Sequence, residues 1–254
     1  MSTSLLCESC GYSLDGLHPS GPCPECGTSI ASSLPELRRT GSNWQRGASI
    51  PSWAHTSGRT IGSPRLLMRA VRIDPRSART LLSVNLLLSA LLLGLTFARL
   101  LGLFATSGSV AGLLILVTGV PLAAVSLRFL TWIEERGVRF FGARRGWRIT
   151  PEVALTICAH ASIGWVFGSL LVFLVIACFF TPTWDAGATL NQRVNLLRFF
   201  LTWVPAAGLS LFAGMLAFEM LVYVGVRECR FANPPRAGAS PQVLSPAPDL
   251  AVAD

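Results

Sequence analysis

Four long apolar stretches, separated by short polar segments, occupy the chain from residue 80 onward. No charged residue occurs between Thr80 and Ala98, and none occurs between Val153 and Trp184. A helix rises about 1.5 Å per residue, so about 20 apolar residues cross the roughly 30 Å of bilayer hydrocarbon. The pattern therefore predicts an all-α integral membrane protein with four transmembrane helices. Their predicted bounds are 80–103, 110–130, 153–180 and 199–226.

The segment that precedes the first span lacks this pattern. Residues 31–63 are rich in Ser, Gly, Arg and Pro and have no sustained apolar periodicity, which predicts a flexible linker. Trp44 and Trp53 lie within it, either as loosely packed aromatic side chains or as anchors for the membrane interface or a partner. In residues 64–73 the arginines share one helical face and apolar residues lie opposite them. This pattern predicts a short amphipathic helix on an anionic leaflet.

The composition also indicates a membrane protein. Hydrophobic residues make up 51% of the chain and charged residues 13%, with a mean hydropathy of +0.53, whereas soluble domains carry about 25% charged residues. The net charge of +8 could suggest a nucleic-acid partner, but the arginines cluster beside the apolar stretches, where membrane orientation accounts for them. After the domain at 64–231 the composition turns to Ala, Pro and Ser, which predicts a disordered tail at 232–254.

The distribution of arginine predicts how the spans are oriented. Fourteen arginines flank the spans on the side of the two termini, and three, Arg99, Arg193 and Arg198, lie on the opposite side. Cytoplasmic segments carry the excess of positive charge, so we expect both termini in the cytoplasm and the spans in the inner membrane of a bacterium. The first residues have neither the basic nor the apolar region of a cleavable signal peptide, which leads to the same expectation.

Four cysteines form two short motifs near the N-terminus, with twelve residues between them. The motifs are Cys7-Glu8-Ser9-Cys10-Gly11 and Cys23-Pro24-Glu25-Cys26-Gly27. Each motif can direct two thiolates at one ion, and the glycine that follows can adopt the positive φ that the turn needs. The spacing predicts a tetrahedral metal site in a domain at 1–30. Its predicted ligands are Cys7, Cys10, Cys23 and Cys26.

Zinc and iron are both bound by sets of four thiolates. The Gly-Tyr after the first pair and the Cys-Pro-x-Cys-Gly of the second resemble rubredoxin. Twelve intervening residues supply little more than a hairpin, however, and cannot supply the aromatic core that shields a redox iron, so a structural zinc ion is favoured. Reduced thiols also fit a reducing compartment. Four thiolates leave no open position for catalysis by the metal.

The string from Cys7 to Gly27 resembles a known signature. It reads Cys-x-x-Cys-Gly-Tyr-x-Leu-x-Gly-Leu and then Cys-Pro-Glu-Cys-Gly, and it is similar to the N-terminal zinc ribbon on many uncharacterised multi-span membrane proteins of planctomycete bacteria. The resemblance covers about a tenth of the chain. It implies zinc binding by the same four cysteines, and it implies no activity.

Two ionisable residues lie inside the predicted spans. His160 is about eight residues into the third span and Glu219 about seven residues from the end of the fourth, so both are expected at a depth of roughly 10 to 12 Å. His160, Gly164 and Gly168 share a small-residue face, where a neighbouring helix can approach closely. We expect His160 and Glu219 to contact each other, directly or through one water, either as a structural polar pair or as a proton or ion site.

Three functional hypotheses are compatible with these features. The favoured one is a non-enzymatic membrane protein whose cytoplasmic zinc ribbon binds a protein partner as an interaction or scaffolding module. It is favoured because the metal site is closed, a long flexible linker is predicted after the head and no catalytic constellation is present. The alternative is a small transporter or channel component that uses His160 and Glu219. An intramembrane enzyme has the weakest support.

Overall fold

The computed structural model describes residues 4–102, 108–179, 201 and 204–235. Within these residues the protein is helical and has no β-strand beyond isolated bridges. A short 3-10 turn, Ile30–Ser33, precedes the α-helices. The helices are α1 (Pro35–Arg38), α2 (Asn43–Arg46), α3 (Ile50–Gly62), α4 (Pro64–Ala70), α5 (Pro75–Gly102), α6 (Gly108–Arg144), α7 (Pro151–Ala161), α8 (Ile163–Phe179) and α9 (Val204–Cys229).

Four helical stretches are long and apolar enough to cross a membrane, which confirms the predicted fold class. They are Pro75–Ala98, Leu116–Arg144, Pro151–Ala177 and Val204–Cys229. The second helix extends well beyond its predicted end at residue 130, because α6 continues through a charged segment to Arg144. Its 37 residues rise about 55 Å, which exceeds the roughly 30 Å of hydrocarbon. Part of α6 therefore lies outside the hydrocarbon.

The first two spans pack against each other. They approach closely at Gly94, where an added Cβ would collide with the side chain of Val120. Pro121 lies inside α6, and the helix continues through it. Residues 103–107, between α5 and α6, lie outside the described residues.

The third span consists of two helices that meet at Ser162. The hydroxyl of Ser162 donates to the carbonyl of Ala159 (2.7 Å) and accepts from Nδ2 of Asn85 on α5 (2.9 Å). A serine that hydrogen-bonds the preceding turn commonly bends a helix. This bond accounts for the break in a segment that the sequence pattern predicts as one continuous span.

Glycines bring α8 and α9 into close contact. A Cβ on Gly168 would lie 2.9 Å from Cα of Gly214, and a Cβ on Gly164 would lie 2.6 Å from the backbone nitrogen of Phe218. Trp165 stacks on Phe218 beside this crossing, with ring centroids 4.9 Å apart. The close approach predicted for the small-residue face is therefore confirmed.

Residues 31–63, predicted as a flexible linker, are largely helical and pack on the bundle. Ser42 and Ser49 each form a capping box at the start of α2 and α3, which stabilises helices too short to form alone. Nε1 of Trp53 donates to Oδ1 of Asn85 (2.7 Å), and Nε1 of Trp44 donates to the carbonyl of Ser77 (3.2 Å). The linker prediction is wrong. It rested on the lack of apolar periodicity, but the face of α3 toward the bundle is polar and therefore shows no such periodicity. Its buried residues are Thr56, Ser57 and Thr60.

The amphipathic helix predicted at 64–73 forms, but it ends at Ala70 and its apolar side does not face lipid. Leu67, Met68 and Val71 are buried, and α4 packs against α9. The prediction of a helix lying on the leaflet is therefore wrong for α4, because the neighbouring helix end covers the apolar side.

The first residues after α9 are packed into the folded structure. Ala232 and Asn233 are buried, although both belong to the segment predicted as a disordered tail. Residues 236–254 of that tail lie outside the described residues, as do 180–200 between the third and fourth spans.

Candidate metal centre

Each cysteine pair lies in a tight turn of the same geometry. The amide of Gly11 donates to the carbonyl of Cys7 (2.8 Å), and the amide of Gly27 donates to the carbonyl of Cys23 (2.9 Å). The glycines have φ values of 85° and 72°, in the left-handed region that residues with a Cβ rarely adopt. These are the turns that the spacing predicts.

Both turns sit in loops that fold back on themselves. The amide of Cys7 donates to the carbonyl of Tyr12, and that of Cys23 to the carbonyl of Thr28, each at 2.8 Å. One antiparallel bridge closes each loop, Leu6 with Ser13 and Pro22 with Ser29. The head, residues 4–30, is therefore a pair of equivalent loops rather than a ribbon with regular strands.

The four thiols converge on one point. All four Sγ atoms lie within 4.8 Å of one another. Between the loops, Sγ of Cys7 is 3.6 Å from Sγ of Cys26, and Sγ of Cys10 is 3.7 Å from Sγ of Cys23. In a tetrahedral site with metal–sulfur bonds of about 2.3 Å, the sulfurs are separated by about 3.8 Å. The geometry fits one ion held by four thiolates.

The pKa values of Cys10 and Cys26 shift in opposite directions. Hydrogen bonding from the Thr28 hydroxyl, 3.3 Å from the sulfur, lowers the pKa of Cys26 to about 6. Desolvation, reinforced by the neighbouring thiols, raises the pKa of Cys10 to about 12. Since thiolates are the metal ligands, binding must release protons from the site, and the affinity for metal depends on pH.

The head has a very small apolar core. Leu14 and Ile30 are its buried aliphatic side chains, and they pack with Cys7 and Cys23. So little buried surface cannot offset the conformational entropy of about thirty residues. The head therefore depends on the metal, on the bundle or on both for its stability.

Glu8 anchors the head from inside the first cysteine motif. Its side chain is 1% exposed. Arg39 donates through Nε to Oε1 (3.0 Å) and through Nη2 to Oε2 (2.9 Å), and Nε of Arg38 lies 2.9 Å from Oε2. The backbone amide of Asn233 donates to Oε1 (3.1 Å). The buried carboxylate is thus paired and hydrogen-bonded, as a charge in a protein interior must be.

Arg39 carries this contact into the bundle. Its side chain is 1% exposed, and Nη1 donates to the carbonyls of Val71 (2.9 Å) and Met68 (3.4 Å). The same atom lies 3.8 Å from Sγ of Cys229 at the end of α9. Burial disfavours the charge of Arg39, but the Cys229 sulfur and the Glu8 carboxylate outweigh this effect and raise its pKa. One side chain therefore joins the first loop to α4 and α9.

Asn233 holds the head from the C-terminal side. Its Nδ2 donates to the carbonyls of Leu6 (2.8 Å) and Ser33 (2.9 Å), and its Oδ1 accepts from the amide of Leu6 (3.0 Å). Arg148, between α6 and α7, donates to Oδ1 of Asn233 (2.5 Å) and to the carbonyl of Ser4 (2.6 Å). The head is thus fixed to both the C-terminal segment and the α6–α7 connection.

Phe231 and Arg230 complete the junction. A Cβ on Gly11 would lie 2.7 Å from Cε1 of Phe231, so this glycine is required by the contact as well as by its φ. Nη2 of Arg230 donates to the carbonyl of Ser9 (2.8 Å). Both contacts involve the first loop, whereas Pro24, Glu25 and Cys26 of the second loop are exposed.

Sequence reasoning missed the residues that build this junction. Glu8 occupies a variable position of the cysteine motif, Arg39 lies in the supposed linker, and Asn233 lies in the supposed tail. The available signal was weak: an acidic residue inside the motif and a pair of adjacent arginines at 38–39 in an otherwise small and polar segment.

The structure does not bring His160 and Glu219 together. His160 is 2% exposed, and its Nδ1 and Nε2 lie 2.9 Å from the carbonyl of Thr156 and 3.3 Å from Oγ of Ser42. Glu219 is exposed and has no hydrogen bond or ion pair within the described part of the chain. Phe218 occupies the face of α9 toward α8, so the next residue points about 100° away.

Comparisons with known proteins do not add a family to this description. No protein-family model, no curated protein and no solved structure matches the chain.

Proposed function

We propose that the four cysteines bind one structural zinc ion. Four thiolates complete a tetrahedral shell, and the short loops leave Cys26 exposed, which suits a metal without redox chemistry. Zinc with four thiolates carries a net charge of minus two. The side chains of Arg38, Arg39, Arg148 and Arg230 contact the head, and their positive charge would stabilise this centre.

We further propose that the head is a fixed platform for a protein partner, in a membrane protein that is not an enzyme. The observation that carries this proposal is the burial of Glu8 between Arg38 and Arg39. A head joined in this way has one orientation relative to the bundle, unlike a module on a flexible linker. The favoured role is therefore scaffolding with a defined geometry.

The head offers a contact surface. Tyr12 and Leu17 are exposed apolar side chains of the head, and aromatic residues are enriched at protein interfaces. The asymmetry in flanking arginines supports a cytoplasmic location for this surface, in a multi-pass protein of the inner membrane.

The transporter or channel alternative depends on a pair between His160 and Glu219. His160 is instead bonded to Thr156 and Ser42. No contact within the described residues favours that alternative, and we do not propose it.

Affinity purification of the full-length protein tests the platform. The double variant Tyr12→Ser, Leu17→Ser should lose a co-purifying protein that the wild type retains, while Phe141→Ser, at another exposed apolar residue, should retain it. The double variant should keep the metal content of the wild type. Identical sets of co-purifying proteins from all three would contradict the platform. Recovery of iron with a red colour would contradict the assignment of zinc and would leave the platform unaffected.

A further inference from the structure

Helix α3 carries an apolar flank that is exposed within the described part of the chain. Ile50 is 83% exposed and Ile61 is 60% exposed, and Ala54 between them is also exposed. At about 100° per residue these three side chains lie within about 40° of one another around the helix. Exposed isoleucines of this kind are unfavourable in water, so the flank requires an apolar environment.

The other sides of α3 are different in character. Thr56, Ser57 and Thr60 are buried on the side of the bundle. His55 and Arg59 are exposed, at about 140° and 180° from Ile50. The helix therefore has a side toward the protein, an apolar flank and an opposite flank that is polar and basic.

The contacts of the segment place α3 at a particular level of the bundle. Trp53 of α3 bonds to Asn85, and Trp44 just before α3 bonds to Ser77. Over the same stretch the exposed residues of α5 change from Arg79 to Val84 and then Leu87. A change from arginine to exposed aliphatic residues marks the boundary between headgroups and hydrocarbon. Helix α3 lies beside that boundary.

The charge around α3 has one sign. No acidic residue occurs between Glu36 and Asp74. The side chains of Arg46, Arg59 and Arg65 are exposed in this interval. Basic residues at the bilayer surface are attracted to anionic lipids. The charge of the segment is therefore complementary to an anionic leaflet.

We propose that α3 is an interfacial membrane helix, with Ile50, Ala54 and Ile61 in the acyl region and Arg59 toward the phosphates of anionic lipids. Val84 and Leu87 of α5, which lie beside the Asn85 that Trp53 contacts, are also exposed and aliphatic, and they support lipid as the occupant of the flank. Helix α3 therefore has the interfacial position that the sequence predicts for residues 64–73. Helix α4 does not have it, because α9 covers the apolar side of α4. This inference goes beyond the proposed function and does not depend on the metal.

Site-specific photocrosslinking tests the proposal on the full-length protein in nanodiscs of phosphatidylcholine and phosphatidylglycerol. A photoreactive amino acid replaces Ile61 in one variant and His55 in a matched control on the same helix. We expect lipid adducts at position 61 in severalfold higher yield than at position 55, and a variant at Ile50 repeats the measurement if Ile61 cannot be replaced. Equal yields, or adducts at 61 with protein from a second copy, would overturn the proposal.

The charge component has a separate test. Lipids that co-purify with the protein are quantified by mass spectrometry. The triple variant Arg46→Gln, Arg59→Gln, Arg65→Gln should lose a larger share of phosphatidylglycerol than Arg136→Gln, Arg139→Gln, Arg144→Gln on α6. An unchanged share of phosphatidylglycerol in the α3 variant would show that the basic residues around α3 do not select anionic lipid.

Discussion

The junction between head and bundle and the crossing of α8 with α9 are stabilised in opposite ways. At the junction, Glu8 and Arg39 are buried together and every oxygen of the carboxylate is paired. At the crossing, Gly168 and Gly214 bring two backbones together without any charge. The junction depends on the partners of buried polar groups, whereas the crossing depends on shape.

The difference follows from the surroundings of each region. Inside hydrocarbon the hydrophobic effect does not favour one apolar surface over another, so helices associate through close packing of small residues. At the head, water competes for polar groups, and a buried ion pair is retained only where its hydrogen bonds are complete. Removing one partner should therefore cost more at the junction than a single added methyl group at the crossing.

The largest effect is expected from loss of the metal. Cys23→Ser, or a strong chelator, should release the ion and unfold the head, because structural zinc contributes on the order of 10 kcal/mol to such sites. Metal analysis and proteolysis of the head measure the outcome. Cys158→Ser, in the bundle, should leave the metal content unchanged; equal metal content in Cys23→Ser would contradict the ligand assignment.

The next largest loss of stability is expected from replacing Glu8, which anchors the head to the bundle. Glu8→Ala leaves Arg39 buried without its partner, which should cost about 3 to 5 kcal/mol. Glu25→Ala is the matched control, because Glu25 occupies the second cysteine motif and is exposed. Thermal unfolding in detergent should show a large loss for Glu8→Ala and almost none for Glu25→Ala. Similar losses would show that the junction does not rest on Glu8.

A smaller effect is expected at the glycine crossing. Gly168→Ala places a Cβ 2.9 Å from Cα of Gly214, and overpacking of this kind costs about 1 to 3 kcal/mol. Gly208→Ala on α9 serves as the control, since its added Cβ meets nothing within 4 Å. Equal melting temperatures for the two variants would indicate that α8 and α9 do not cross at Gly168.

The smallest expected effect is a difference in unfolding free energy between two variants that each lose a serine cap. Ser42→Ala and Ser49→Ala each remove a capping box, but Ser42 is also buried against Nε2 of His160 (3.3 Å). Ser42→Ala should therefore cost about 1 kcal/mol more than Ser49→Ala. Equal unfolding free energies would contradict the contact between α2 and His160.

The sequence was sufficient to predict the spans and the cysteine cluster. Long apolar stretches have only one stable form in a bilayer, and the spacing of Cys7 and Cys10 sets a turn whose geometry is local. The small-residue face at Gly164 and Gly168 could also be predicted, because helical periodicity places both residues on one side of the helix. These features depend on residues close together in the chain.

The junction and the segment 31–63 could not be predicted in the same way. Glu8 meets Arg39 and Asn233 across 31 and 225 positions of the chain, and no local pattern encodes such contacts. The inward face of α3 is made of Thr and Ser, so hydrophobic periodicity gave no helix signal. Matching depth alone was likewise insufficient to pair His160 with Glu219, since the direction of each side chain around its helix decides the contact.

Hydrogen exchange of the full-length protein in detergent tests most directly whether the metal-loaded head is fixed to the bundle. Peptides that cover 39–46 and 229–235 contain the amides of Gly41 and Asn233, which donate to Ala70 and Glu8. We predict slow exchange in the metal-loaded protein and much faster exchange after chelation, with no change in α9 peptides between 210 and 225. Fast exchange in the metal-loaded protein would instead indicate a head on a flexible linker and would contradict the account.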